Sequence, residues 1–249
     1  MTRDLDLARR LAAEARSITV LTGAGLSTAS GIPDFRGPQG VWTQNPKAER
    51  ISTLSWYLND PEVRRLAWQT RAWSPVWDAE PNPAHRAITE LQKSGRLRGL
   101  ITSNTDGLHQ VAGTEDVIEL HGSARRWRCE SCSHGGPIAE MVDRVKAGED
   151  DPRCPRCGGI TRATVILFEE MLDPGVIDAA SQAAADCDLF LAVGTSLVVY
   201  PAAGLLPLAV RSGAQVVIVN AEETPFDHLA AAVISDPIET ALPTLLGLA

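Results

Sequence analysis

The 249-residue chain reads as an α/β protein, a doubly wound, Rossmann-like parallel sheet with a small module made of two inserts. Three observations predict this. Short aliphatic runs recur, each closing on small or polar residues: 18–21 before Thr22-Gly23, 99–102 before Ser103-Asn104, 117–120 before His121-Gly122, 165–168 before Glu169, 189–193 before Gly194, and 216–219 before Asn220. Continuous aliphatic runs of that length suit strands covered on both faces. Segments of helical period lie between most of them, at 83–94, 174–185 and 202–211. Two stretches break the alternation and are expected to stand apart. Residues 38–82 hold five of the six tryptophans (Trp42, Trp56, Trp68, Trp73 and Trp77) at helical spacing, whereas 125–159 are rich in Arg, Cys and Gly and too poor in aliphatics to build a core of their own. The large domain then comprises 1–37, 83–124 and 160–249.

Residues 1–16 mix Arg3, Asp4, Asp6, Arg9, Arg10, Glu14 and Arg16 with Leu and Ala, the pattern of an amphipathic helix and not of a signal peptide. No apolar run reaches the roughly 18 residues of a membrane span, so no membrane partner and a cytoplasmic location are expected. The 23 Lys and Arg against 31 Asp and Glu leave a net charge of −8. Nucleic-acid binders gain affinity by neutralising phosphates with cations, so an acidic chain is not expected to take nucleic acid. Basic peptides or proteins suit it better.

In a doubly wound sheet, ligands bind beyond the carboxyl ends of the strands, where Gly23, Asn104, His121, Gly194 and Asn220 would gather. The first run leads into Thr22-Gly23-Ala24-Gly25-Leu26-Ser27, a glycine-rich turn whose backbone N–H groups can approach a pyrophosphate. Alone it is a weak signal, since Thr28 replaces the third glycine and ordinary strand-to-helix packing explains the rest. It gains weight from the loop after it, where Asp34, Phe35 and Arg36 crowd into Gly31-Ile32-Pro33-Asp34-Phe35-Arg36-Gly37. Cys129-x-x-Cys132 and Cys154-x-x-Cys157, separated by 21 residues, supply four thiolates for a tetrahedral zinc that closes its own coordination sphere. Such a metal is structural, and it would replace the core the second insert lacks. Arg125, Arg126, Arg128, Arg153 and Arg156 keep a nucleic-acid ribbon as the minority reading there. Cys187 reads as a small residue at the start of a buried strand. His121, at a strand's carboxyl end, can serve as a general base near neutral pH. His85 is expected to cap or pack, and His109 to pack or bond the backbone; His134 is a remote substitute ligand.

Taken in order, these residues resemble the sirtuin family of NAD-dependent protein deacylases over nearly the whole chain. The likeness rests on Gly23-Ala24-Gly25-Leu26-Ser27 with Ser30-Gly31-Ile32-Pro33-Asp34-Phe35-Arg36, Asn104-x-Asp106-Gly107-Leu108-His109-Gln110, Glu119-Leu120-His121-Gly122, the four cysteines, Gly194-Thr195-Ser196-Leu197 and Asn220. The resemblance implies a reaction in which the acyl oxygen of an acylated lysine attacks the nicotinamide ribose of NAD. Nicotinamide leaves, and the adduct resolves through a ribose hydroxyl. It assigns His121 as the base for that hydroxyl, with Asn104 and Asp106 positioning ribose and nicotinamide. It assigns Gly23, Ala24, Gly25, Ser27, Asp34, Phe35, Arg36, Ser103, Gly194, Thr195, Ser196, Asn220, Ala221 and Glu222 to the rest of NAD, and Val165, Ile166 and Phe168 to a strand lining the acyl-lysine tunnel. Three positions depart from the family's usual residues: Ser103 and Thr105 flank Asn104, and Glu169 stands where glycine is usual. Trp68-x-x-Arg71 half meets the Tyr-x-x-Arg of sirtuins that prefer acidic acyl groups. Deacetylation is the default expectation. The alternatives are an ADP-ribosyltransferase or NAD glycohydrolase, and an NAD-binding interaction module without turnover.

Overall fold

A computed structural model of the chain describes residues 3–34 and 48–248. Six parallel strands, β1 (Ile18–Thr22), β2 (Leu97–Thr102), β3 (Ile118–Glu119), β7 (Leu189–Val193), β8 (Gln215–Val219) and β9 (Ala232–Ile234), pair in the order β3-β2-β1-β7-β8-β9. The chain builds outward from β1 in one direction and from β7 in the other, so the order reverses between these two central strands. In register, Thr22 stands beside Thr102 on one side and Val193 on the other. Alternating residues feed two separate cores, because successive side chains on a strand point to opposite faces. In β7, Leu189, Leu191 and Val193 pack with the helices Arg3–Glu14, Pro83–Lys93 and Ile238–Leu245. Phe190 and Ala192 pack on the other face with Pro174–Ala185 and Leu205–Arg211. Helix starts are set locally. Asn82 accepts from the Ala84 and His85 N–H groups ahead of Pro83, and Asp173 does the same for Gly175 and Val176 ahead of Pro174.

The two inserts come together. The first supplies short helices, Ala48–Ile51, Leu54–Asn59 and Pro61–Ala72. The second supplies the antiparallel strands β4 (Arg126–Cys129) and β5 (Gly135–Pro137), joined by β6 (Thr161–Ala163) in the order β5-β4-β6, with a helix at Ala139–Lys146. The zinc-bearing sheet thus takes in residues beyond the expected boundary at 159, because Trp127 pairs with Ala163 and Cys129 with Thr161. Nor does the second insert lack apolar packing. Met141, Val142 and Val145 form a small core with Trp68 and Ala72 of the first insert, so neither insert makes it alone.

Residues 165–168 are not the expected strand of the parallel sheet. Just after β6 they run extended with only an isolated parallel bridge between Phe168 and Thr53, and Ile166 N–H donates to the His121 carbonyl at 2.9 Å. Their aliphatic run has a different cause from the others, since it bridges the two modules at the cleft.

Candidate active site

Each chemistry-bearing residue sits just past the carboxyl end of a strand and continues its hydrogen-bond ladder. Gly23 N–H donates to Val193 O at 3.0 Å, Ser103 N–H to Thr22 O at 2.9 Å, Gly194 N–H to Val219 O at 2.8 Å and Asn220 N–H to Ile234 O at 3.0 Å. The parallel ladder therefore lines up Gly23, Ser103, Gly194 and Asn220 along one rim. The glycine turn enters a 3-10 helix at Ala24–Ser30. It meets Gly194 so closely that a Cβ on Gly194, which has φ +62°, would lie 2.3 Å from Leu26 N. This contact, and not only a ligand, requires the glycine.

Behind the turn the polar groups form one connected set. Asn104, 6% exposed, donates both amide hydrogens inward, to Gly23 O at 3.0 Å and to Ser27 Oγ at 3.2 Å. Its Oδ1 is then the atom it can offer a ligand. Ser27 Oγ donates to Asp106 Oδ2 at 2.7 Å, and Leu108 N–H donates to Asp106 Oδ1 at 2.8 Å. Arg125, from the start of the zinc-bearing insert, reaches back with Nε to the Asp106 carbonyl at 2.7 Å, its guanidinium 5.6 Å from the centre of the Trp77 ring. No sequence pattern singled out Arg125 for this link between modules.

His121 follows β3 and is partly buried. Its Nδ1 lies 3.1 Å from the Ser103 carbonyl. A carbonyl only accepts, so Nδ1 carries the hydrogen and Nε2 is left bare as a proton acceptor. Burial holds the imidazole below its ordinary value of 6.5, partly offset by that bond to Ser103. His121 is thus an unprotonated base at neutral pH. The turn after it requires Gly122, at φ +68°, where a Cβ would meet Thr164 O at 2.1 Å.

His85 and His109 are both buried. His85 completes a capping box with Asn82, as a capping residue should. His109 packs against the His85 ring, as one of the two expectations had it, and its Nε2 bonds the Thr22 side chain at Oγ1, 3.0 Å away, and not the backbone. Cys187 is buried beside Ala184 at the foot of β7.

The acyl-side candidates divide. Val165 and Leu167 line a small cavity with Tyr57, Trp68, Arg71 and Arg162, whereas Phe168 is 45% exposed on the opposite side of the extended segment, which it shares with Ile166. The cavity measures ≈ 20 Å³, about the room of one water. Trp68 Nε1 and Arg71 Nε are buried there without a hydrogen-bond partner among the described residues. Desolvation lowers the pKa of Arg71. Thr195 and Ser196 are partly buried beyond β7, and Ala221 and Glu222 are exposed beyond β8, with Asn220 Nδ2 donating to Glu222 O at 2.8 Å. Asp34 is partly buried. Phe35 and Arg36, with Trp42, lie outside the described residues.

The four cysteine Sγ atoms all lie within 4.8 Å of one another, with Cys129–Cys157 at 3.5 Å, Cys132–Cys157 at 3.5 Å and Cys132–Cys154 at 3.8 Å. A tetrahedral zinc with Zn–S near 2.3 Å needs edges of about 3.8 Å, which the three shortest of these separations approach, so the four thiols suit the ion. His134 is not in this group; its ring meets Trp127 edge-on at 5.2 Å.

A Rossmann-like sheet whose strand ends carry a glycine turn, a buried Asn–Asp pair and an unprotonated histidine, beside a four-cysteine zinc module, defines a nucleotide-binding α/β protein with a structural metal. Residues 23–201 match the model of the Sir2 family, and the chain belongs to that family. It is 50% identical to NAD-dependent protein deacetylase 2 of Streptomyces coelicolor, over 92% of this chain and 96% of that one. It is 43% identical to the NAD-dependent protein deacylase of Thermus thermophilus, over 91% and 87%. A solved complex of Sir2 with a p53 peptide and NAD+ superposes with a TM-score of 0.86 at 33% identity, covering 99% of this chain and 98% of that one.

Proposed function

We propose that the chain is an NAD-dependent protein-lysine deacylase, with acetyl-lysine as the default substrate. One observation carries the reading: His121, with Nε2 bare, shares the sheet rim with the Gly23–Ser27 turn, Asn104 and Asp106. NAD supplies the electrophilic ribose carbon and the leaving nicotinamide. The acylated lysine supplies the attacking acyl oxygen, and the chain supplies the groups that bind, orient and take the proton. Gly23, Ala24, Gly25 and Ser27 receive the pyrophosphate with Arg36 from the loop that follows, Phe35 shields the nicotinamide side, and Asn104 Oδ1 and the Asp106 carboxylate orient the ribose and its nicotinamide. A carboxylate there also favours positive charge developing on the sugar. His121 Nε2 takes the proton of a ribose hydroxyl. Gly194, Thr195 and Ser196 with Asn220, Ala221 and Glu222 receive phosphate and adenosine. The peptide lies along Val165, Ile166 and Phe168, where an extended chain can add as a strand. Structural zinc fits Cys129, Cys132, Cys154 and Cys157.

His121→Ala is expected to abolish release of O-acyl-ADP-ribose from NAD and acetyl-peptide, read by mass spectrometry, while NAD still binds by calorimetry. Equal turnover would remove His121 from its role. For the wild type, kcat/KM should fall only below about pH 6.5, because the base is held below its ordinary pKa.

A second reading concerns the acyl group. The buried Arg71 Nε and Trp68 Nε1, both lacking partners among the described residues, favour a carboxylate-ended acyl chain over a neutral one. An Arg71→Met variant should then lose succinyl-peptide activity while keeping acetyl-peptide activity. Equal loss on both would leave acetyl as the better assignment.

A further inference from the structure

We infer that His85 and His109 form a buried donor–acceptor link that fixes the tautomer of His109 and, through Thr22 and Thr102, positions Asn104. The protonation of each ring follows from its neighbours. A backbone N–H only donates, so the bond from Asn82 N to His85 Nδ1 at 3.4 Å leaves that nitrogen bare and puts the His85 hydrogen on Nε2. At the other end, the Thr22 hydroxyl gives its hydrogen to Thr102 Oγ1 at 2.8 Å. Thr22 Oγ1 must therefore receive from His109 Nε2, 3.0 Å away, which leaves His109 Nδ1 bare. His85 Nε2 and His109 Nδ1 are both buried without a partner among the described residues. The first is a donor and the second an acceptor, and the two rings stand 5.0 Å apart at an interplanar angle of 58°.

Either nitrogen left alone in the core would bear a full desolvation cost, and one water joining the two removes both costs. The link needs both rings neutral, because a cationic His109 would set donor against donor. Burial provides this. It pushes His85 down to about 4 against the raising effect of Asp106, with Arg86 adding to the drop, and His109 down to about 3 with His85 adding to the drop. Downstream, Thr102 Oγ1 also accepts from the Asn104 N–H at 3.0 Å. One directed chain then runs from the helix cap at Asn82 to Thr102 Oγ1, where the Asn104 N–H converges from the other side. His85 and His109 are positioning residues in this scheme, and their effect on turnover rests on the deacylase reading.

The test begins with the intact protein labelled with 15N-histidine. Long-range 1H–15N spectra at pH 7 should show Nε2–H and bare Nδ1 on both rings, unchanged down to about pH 5. An Nδ1–H on either ring, or averaging between tautomers at His109, would overturn the link. Two variants add the functional half. His85→Gln keeps an N–H donor and should hold the His109 tautomer and wild-type turnover. His85→Leu should let the His109 signals average and lower kcat roughly tenfold, with peptide KM within about twofold. A folded Leu variant with an unchanged tautomer and unchanged kcat would refute the link. A wild type with the expected tautomers and no acyl-peptide turnover would sink the deacylase reading and leave the link standing.

Discussion

The large domain and the small module solve the same problem with different materials. The sheet is covered on both faces by aliphatic clusters, with Phe190 and Leu191 fully buried on opposite sides of one strand. The small module has one thin core, which it builds only by joining both inserts, and it fills the remainder with four thiols and ion pairs. Arg162, 2% exposed at its side chain, bonds Glu130 Oε1 at 2.8 Å and also Glu170 Oε1. Glu170 Oε2 in turn accepts from Leu167 N–H at 2.7 Å, and Arg162 Nη1 donates to Val165 O at 2.7 Å. The charged network therefore holds the backbone of the extended segment at the cleft. Apolar burial is non-directional, whereas thiolates and ion pairs fix particular atoms. The module proposed to present an edge to a peptide uses the directional kind.

Metal removal is the strongest way to break this contrast. Structural zinc sites in small domains bind with roughly 10–16 kcal/mol, much of it folding free energy. A chelator should expose amides of 126–163 to hydrogen exchange while those of β1, β7 and β8 stay protected. Uniform loss of protection would mean that the two regions fold as one unit. Next in size is Phe190→Ala, which should cost about 3–5 kcal/mol in urea unfolding by opening a cavity in the large domain. Zinc content per chain should stay unchanged in the folded variant. A loss below about 1 kcal/mol would show that the sheet face collapses around the gap.

The same contrast governs what could be read from the residues in order. Strands β1, β7 and β8 were legible because burial on both faces leaves an unmistakable aliphatic run, and the four cysteines were legible because ligand spacing is short-range. The run at 165–168 looks identical and is not a sheet strand; besides the neighbouring Arg162 and Glu170, its hydrogen bonds go to His121 and Ser52, partners that only the assembled fold brings near. β9 and the helix at Ala139–Lys146 leave no clear signal in the sequence, the first because it is short and the second because it lies within a metal-held insert. Of the site, His121 and Asn104 were visible at strand ends. Thr22, Thr102 and Arg125 were not, since a buried hydroxyl or a cross-module guanidinium has no local pattern.

Acid should weaken the large domain through its histidines, in contrast to its otherwise apolar design. His85, His109 and His121 all have folded pKa values below the ordinary 6.5, chiefly through burial. As the pH falls below about 6.5, the unfolded chain takes up protons that the folded one refuses, so stability is lost on the acid side. The loss is at most about 1.4 kcal/mol per pH unit for each histidine. It continues until the folded values are reached, at about 4 for His85 and about 3 for His109. Urea midpoints at pH 7.5 and 5.5 would measure it. A flat profile would show that these rings are not buried in neutral form.

The smallest expected effect lies at Glu169, where the modules meet. Glu169 has a left-handed backbone at φ +77°, a conformation that favours glycine. For a residue with a Cβ this costs about 1–2 kcal/mol. The side chain supplies an offset that glycine cannot: its carboxylate accepts from Ser55 N–H and from Ser55 Oγ, each at 2.9 Å, at the start of the helix Leu54–Asn59. Helix-start bonds of this kind are worth roughly 0.5–2 kcal/mol, and a carboxylate there also meets the positive end of the helix dipole. Glu169→Gly should therefore change stability by less than about 1 kcal/mol, strain relief cancelling the lost cap. Glu169→Ala keeps the Cβ and loses the bonds, so it should fall below both in urea unfolding. If the alanine variant matched the wild type, the bonds to Ser55 would contribute nothing.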